Sequence, residues 1–85
     1  MNKVDLFKRL LLEYVDVIKE RELKNSEELL EKEEQAFNNT IDFCEKNNLT
    51  FDEIVEGYVG IGANEKSHPL YYEFQRLLED EDLYK

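Results

Sequence analysis

The chain has 85 residues, enough for one domain, and a formal net charge of −10 from 21 acidic and 11 basic residues. Such a charge repels phosphate backbones and anionic lipid, so it argues against direct binding to nucleic acids or membranes and favours a protein partner with a basic surface. Residues 1–24 carry a net charge of +1, residues 25–49 carry −5 and residues 50–85 carry −6. The acidic surface is therefore expected after the first helix.

Cysteine content and hydropathy predict a cytoplasmic protein. The single cysteine, Cys44, excludes an intrachain disulfide and is typical of a reducing compartment. No apolar run is longer than residues 10–12, and the charged, periodic start of the chain lacks the apolar core of a secretory signal. We therefore expect no targeting or membrane-spanning segment.

The rest of the chain is organised around the segment from Val4 to Ile18. At about 100° per residue, its apolar side chains cover roughly half the circumference of a helix. A helix of this kind needs at least two flanking helices, or a second copy of the chain, to cover it. Asn2 is placed to cap this helix, which is predicted over about residues 3–24. The apolar residues are Val4, Leu6, Phe7, Leu10, Leu11, Tyr14, Val15, Val17 and Ile18.

Two further helices are predicted over about residues 26–47 and 51–60. Thr50 and Glu53 have the spacing of a capping box, and Gly60 and Gly62 can end the third helix in a left-handed turn. The second helix is expected to turn Leu29, Leu30, Ala36, Phe37, Ile41 and Cys44 inward. The third is expected to bury Phe51, Ile54, Val55, Tyr58 and Val59.

A fourth helix is predicted over about residues 68–82, with Pro69 in its first turn. The acids at its end oppose the helix dipole, so residues 80–85 are expected to form a frayed acidic tail. The pattern predicts an all-α, single-domain antiparallel bundle of four helices over residues 1–85, the third one short. The inward residues of the fourth helix are Leu70, Tyr71, Phe74, Leu77 and Leu78. The core is expected to rest on Phe7, Leu11, Phe37, Ile54 and Phe74.

No motif indicates catalysis, a cofactor or a metal. The segment from Gly60 to Gly62 follows a helix, whereas a phosphate-binding loop follows a strand and needs a third glycine. His68 is the only histidine, and a closed zinc site would need three more ligands, with sulfur available only from Cys44. Ser67 beside His68 is not a catalytic dyad by adjacency alone. We therefore predict no enzyme activity, no cofactor and no metal site.

An acidic stripe is predicted on the outer face of the second helix. Its like charges lie at helical spacings that destabilise a helix slightly, and lysine does not interrupt them. At about 1.5 Å per residue the stripe extends over about 27 Å, long enough to imitate one edge of a nucleic-acid backbone. A merely solvated acidic face is the alternative. The stripe consists of Glu27, Glu31, Glu34, Asp42 and Glu45.

Two other features leave alternatives open. Glu33 and Thr40 fall within the inward arc of the second helix, which leaves two interpretations. They either border the core, with Glu33 paired to a basic group of the first helix such as Lys8 or Arg9, or line an unfilled groove for a partner side chain. Tyr72 shares an outer row with Arg76 and Glu79 on the fourth helix, which is either ordinary surface or a binding spot.

These patterns predict a small acidic protein-binding module. The most concrete form is a stoichiometric inhibitor that occupies the basic, nucleic-acid-binding surface of another protein. Antirestriction, anti-CRISPR, antitoxin and nuclease-immunity proteins share this general character, which is an analogy of class. The candidate binding residues are the acidic stripe together with Tyr72, Arg76 and Glu79. The alternative is a helical structural or adaptor subunit that forms a homodimer through the spare apolar face of the first helix.

Overall fold

The computed structural model describes residues 2–80, with the backbone alone for Asp80. It contains helices α1 (Lys3–Leu23), α2 (Glu27–Lys46), α3 (Phe51–Gly60) and α4 (Tyr71–Asp80), and no strand over this part of the chain. The predicted all-α bundle of four helices is confirmed. The predicted acidic tail falls mainly on residues 81–85, which lie outside the described residues.

Local capping determines where the first three helices begin. The Asn2 side chain accepts a hydrogen bond from the Asp5 backbone N–H at 2.9 Å, and Ser26 Oγ accepts one from the Leu29 N–H at 3.2 Å. The predicted capping box of α3 is present, with Thr50 Oγ1 accepting from the Glu53 N–H and Glu53 Oε1 accepting from the Thr50 N–H. These bonds satisfy backbone donors that the first turn of a helix leaves without partners.

Cross-helix contacts define the order of the bundle. Arg21 pairs with Glu33, and Lys3 Nζ donates to the Asn47 carbonyl, so α1 and α2 run antiparallel. Lys3 also pairs with Glu53 at the start of α3, which runs in the same direction as α1. α1 packs against both α2 and α3, and α4 packs against α3. The prediction that two helices flank α1 is therefore confirmed.

The core is centred on one face of α1. Phe7 and Leu11 are fully buried, and the ring of Phe7 packs edge-on against Tyr58, which in turn stacks on Phe74. Gly57 lets α3 approach α1 closely, because a Cβ atom there would collide with the Phe7 ring. The buried face of α1 comprises Val4, Phe7, Leu11, Tyr14, Val15 and Ile18.

The predicted start of α4 at residue 68 is wrong by three residues. The segment from Ile61 to Leu70 forms successive turns, and His68 Nδ1 accepts the backbone N–H of Leu70 at 3.1 Å. The N–H of Phe74 bonds to the Leu70 carbonyl, as expected for a helix that begins at Tyr71. Pro69 therefore lies in the preceding turn, and the fully buried Leu70 fixes that turn to the core.

Several residues predicted to point inward are exposed. Leu30, Phe37 and Ile41 of α2 keep 45%, 40% and 42% of their surface accessible. The prediction that Phe37 is a core residue is therefore wrong. Val59 and Leu78 are exposed as well. The reason is helix length, because α3 and α4 have 10 residues each and cannot cover the 20 residues of α2 once they have packed on α1 and on each other.

Candidate functional site

The acidic stripe lies on the exposed face of α2. All of its side chains are solvent-exposed, and none of them forms an ion pair with another described residue. Helix α2 extends from Glu27 to Lys46 without interruption, so the stripe spans about 27 Å at about 1.5 Å per residue. The exposed carboxylates are Glu27, Glu31, Glu34, Asp42 and Glu45.

The second predicted row lies on α4. Tyr72, Arg76 and Glu79 are exposed, and Tyr72 keeps 77% of its surface accessible with its ring edge-on against Tyr71. The structure does not bring this row into direct contact with the acidic stripe. Glu45 of the stripe and Arg76 of the row nevertheless line two neighbouring cavities, which together form one surface groove.

The groove lies between α2 and α4, and Phe7 of α1 and Ile54 and Tyr58 of α3 line it as well. It consists of a cavity of about 550 Å³ and a smaller one of about 300 Å³, which share Ile41, Tyr58 and Leu77 in their linings. Phe37, Glu73 and Arg76 complete the smaller cavity. The lining is mainly apolar, with one carboxylate in each cavity, Glu45 in the larger and Glu73 in the smaller. Apolar concavities with a few polar groups at their edges are typical binding sites.

Thr40 lines this groove, as one of the two sequence interpretations expected. Its hydroxyl donates to the Phe37 carbonyl at 2.6 Å, so the buried polar group is satisfied within its own helix. Glu33 forms the expected ion pair with a basic residue of α1, which is Arg21 and neither of the two candidates named, Lys8 and Arg9. Glu33 lies 3.0 Å from Arg21 because the short α1–α2 connection places the start of α2 beside the end of α1.

A polar cluster adjoins the smaller cavity. The Tyr14 hydroxyl donates to Glu73 Oε1 at 3.0 Å, while the Tyr14 ring packs against Phe37 at a centroid distance of 5.7 Å. Burial raises the pKa of Glu73, and the nearby Glu33 charge adds to this effect, whereas the Tyr14 bond and the Arg76 charge oppose it. Burial also raises the pKa of Tyr14, which therefore remains a hydrogen-bond donor.

Cys44 is half-buried in the wall of the larger cavity. Burial, with a smaller contribution from the Glu45 charge, raises the pKa of its thiol to about 11. Because the thiolate is the nucleophilic form, this thiol reacts slowly at neutral pH and faster as the pH rises. Its position makes it a reporter of what fills the groove.

Neither a metal centre nor a membrane span is found in the part of the chain that the structure describes. No cluster of three or more histidine, cysteine or acidic side chains within residues 2–80 has a geometry that could hold a metal ion. None of the described helices combines the length and the apolar composition that crossing a bilayer requires.

The comparisons with protein-family models, curated proteins and solved structures give no match to this chain. The groove itself was only partly foreseen from the sequence. The position of Thr40 in the inward arc indicated it, whereas the part contributed by Leu77 and Tyr58 depends on where α3 and α4 pack.

Proposed function

We propose that this chain is a small acidic protein-binding module that acts as a stoichiometric inhibitor, without catalysis of its own. It would occupy the basic, nucleic-acid-binding surface of another protein. The observation that carries this proposal is the acidic stripe, whose carboxylates are all exposed and form no ion pair with the described residues. Acidic side chains that only keep a helix soluble are usually interleaved with basic ones, which lessens their mutual repulsion.

The physical mechanism is electrostatic imitation. In a nucleic acid each strand carries a phosphate about every 3.4 Å along the axis, and basic surfaces bind these charges in rows. The stripe offers a row of carboxylates along one rigid helix, and the net charge of −10 attracts a basic partner at long range. The inhibitor then excludes the nucleic acid by occupying the same surface. Antirestriction, anti-CRISPR, antitoxin and nuclease-immunity proteins provide an analogy of class.

Capture followed by competition tests this proposal. The immobilised chain is incubated with lysate of its native host at low salt, and the captured proteins are identified by mass spectrometry. The proposal predicts a nucleic-acid-binding protein that is released by duplex DNA and by raised salt, since both compete for its basic surface. A captured protein that DNA does not displace would contradict the proposal.

The second candidate function is a structural or adaptor subunit that acts by self-association. The observation in its favour is the set of exposed apolar side chains Leu30, Phe37 and Ile41 on α2. On α1, where the spare apolar face was expected, the exposed large apolar residues are Leu6, Leu12 and Leu23. An apolar dimer would persist at high salt, whereas a charge-driven complex would dissociate, so sedimentation at two salt concentrations separates the two functions.

A further inference from the structure

The exposed apolar residues of α2 lie directly beside its acidic stripe. At about 100° per residue, Leu30, Phe37 and Ile41 form one row, and Glu34 and Glu45 lie in the next row around the helix. Phe37 and Ile41 of the apolar row line the groove, and Ile41 and Leu77 of α4 line both of its cavities. The groove therefore has apolar side chains inside it and exposed carboxylates along its α2 side.

We propose that the groove between α2 and α4 holds an amphipathic helix of the partner protein, with apolar side chains in the groove and basic side chains against the acidic stripe. This inference rests on the proposed function and deepens it, because it names the kind of partner segment that the stripe and the groove bind together. Helices docked in a groove place side chains at i, i+3, i+4 and i+7 into it, a span of about 10 Å. The α2 residues that line the groove, from Phe37 to Glu45, extend over about 12 Å at about 1.5 Å per residue, which is enough for one such set.

Charge complementarity decides between this occupant and a second copy of the chain. Glu45 and Glu73 line the groove, and Arg76 is the one basic side chain among its described lining residues. A second copy would bring its own acidic stripe against these carboxylates. Like charges across an interface are unfavourable, whereas lysine or arginine beside the groove would be paired.

The matching geometry on the partner side follows from the two rows. The apolar side chains of the partner helix contact the groove around Ile41, Cys44 and Leu77. Basic side chains on the adjoining face of the same partner helix contact Glu34 and Glu45. A disordered basic segment satisfies only the second requirement. An apolar helix without basic residues satisfies only the first.

A synthetic peptide of about 18 residues is the probe, with leucine at i, i+3, i+4 and i+7 and lysine elsewhere. Two control peptides are used, one of the same composition with the period scrambled and one with glutamate in place of lysine. Binding to the full chain is measured by titration, and occupancy of the groove by the rate at which iodoacetamide alkylates Cys44. Cys44 is the only cysteine, so the reaction has a single site.

We expect the leucine–lysine peptide to bind at least about tenfold more tightly than either control and to slow the alkylation of Cys44. Ile41→Ser and Glu45→Lys should each weaken its binding by about tenfold. The matched changes at exposed positions of α1, Leu12→Ser and Glu13→Lys, should leave it unchanged. Circular dichroism of each variant checks that the helices are retained, and Glu45→Lys tests the proposal even if Ile41→Ser unfolds the chain.

Three results would overturn the inference. Equal binding and equal protection of Cys44 by the scrambled peptide would mean that charge alone holds the peptide. A dimer of the free chain that Ile41→Ser dissociates would mean that a second copy fills the groove. Nuclear Overhauser contacts between residues 81–85 and the groove in the free chain would mean that its own terminus does. None of these results changes whether duplex DNA releases the captured partner. The proposed function is therefore tested independently of this inference.

Discussion

Helices α1 and α2 are almost equal in length and differ completely in how they are covered. α1 has 21 residues and buries six side chains, all of them apolar or aromatic, whereas α2 has 20 residues and buries only Leu29 and Thr40. Both helices carry apolar residues at helical spacing. The difference comes from the two short helices, because α3 packs against α1 and α4 packs against α3, which leaves one side of α2 open. An amphipathic pattern thus predicts an apolar helix face, but it does not show whether the same chain or a partner buries that face.

Phe7→Ala compared with Phe37→Ala should show the largest difference between the two helices. Phe7 is fully buried, and removing such a ring typically costs about 3–5 kcal/mol of stability, a large part of a total of about 5–15 kcal/mol. Phe37 is 40% exposed, so its removal should cost less than half as much. Urea unfolding followed by circular dichroism measures both. Equal losses would show that α2 is covered in solution.

A pair of glycine substitutions sharpens the same comparison at the contact between α1 and α3. Gly57→Ala places a methyl group against the buried Phe7 ring and should cost about 1–3 kcal/mol. At Gly60 the nearest atom is Cδ of the flexible Lys8 side chain, so Gly60→Ala should be neutral or stabilise the helix by up to about 1 kcal/mol. Thermal unfolding of both variants is the test. A stable Gly57→Ala variant would contradict the close packing on α1.

Thr50→Ala removes the cap of α3, the helix that covers α1 and leaves α2 open. Loss of an N-cap threonine typically costs about 1 kcal/mol, which lowers the melting temperature of a small domain by several degrees. Asp52→Ala is the control, because Asp52 is exposed and takes no part in the capping box. If Asp52→Ala is the more destabilising change, α3 does not begin as described.

Glu73→Gln should have the smallest effect on stability and a characteristic dependence on pH. The pKa of Glu73 is raised in the folded chain, so the stability associated with its proton is fully present below about pH 4 and is lost as the pH rises through the folded value. Glutamine keeps an acceptor for Tyr14 and does not titrate. The variant should therefore gain stability over the wild type as the pH rises through this range.

Glu53→Gln provides the control of opposite sign for this measurement. The Thr50 backbone hydrogen bond, above all, lowers the pKa of Glu53, so its contribution is present above about pH 4 and is lost as the pH falls through the folded value. The wild type should therefore be the more stable protein at neutral pH. Unfolding curves at several pH values measure both variants, and parallel pH profiles for the two would contradict these environments.

The sequence predicted the features that depend on neighbouring residues. Asn2 and Thr50 cap helices as their spacing indicated, because a cap needs only the next three residues. The exposure of Phe37 and Ile41 could not be predicted in this way. It depends on the packing of α4, whose start at Tyr71 is shifted by the turn that His68 stabilises.

The candidate site also has one part that the sequence predicts and one part that depends on tertiary packing. The acidic stripe could be read from the sequence, since residues of one helix share a face at fixed spacing. The groove beside it could not, because Ile41, Tyr58 and Leu77 come from three helices. Glu33 shows an intermediate case, in which the ion pair was expected and its partner, Arg21, follows only from the antiparallel order of α1 and α2.

The central claim is that the exposed face of α2 binds a basic partner, and matched charge reversals test it most directly. The stripe variant combines Glu31→Lys, Glu34→Lys and Asp42→Lys, and the control combines Glu13→Lys, Asp16→Lys and Glu20→Lys at exposed positions of α1. Each reversal adds two charges, so both variants change the formal charge from −10 to −4. Both should remain folded, because neither set touches the core. We expect the stripe variant to lose capture of the wild-type partner and the control to keep it with slower association. A folded stripe variant that still captures the partner would contradict binding through this face.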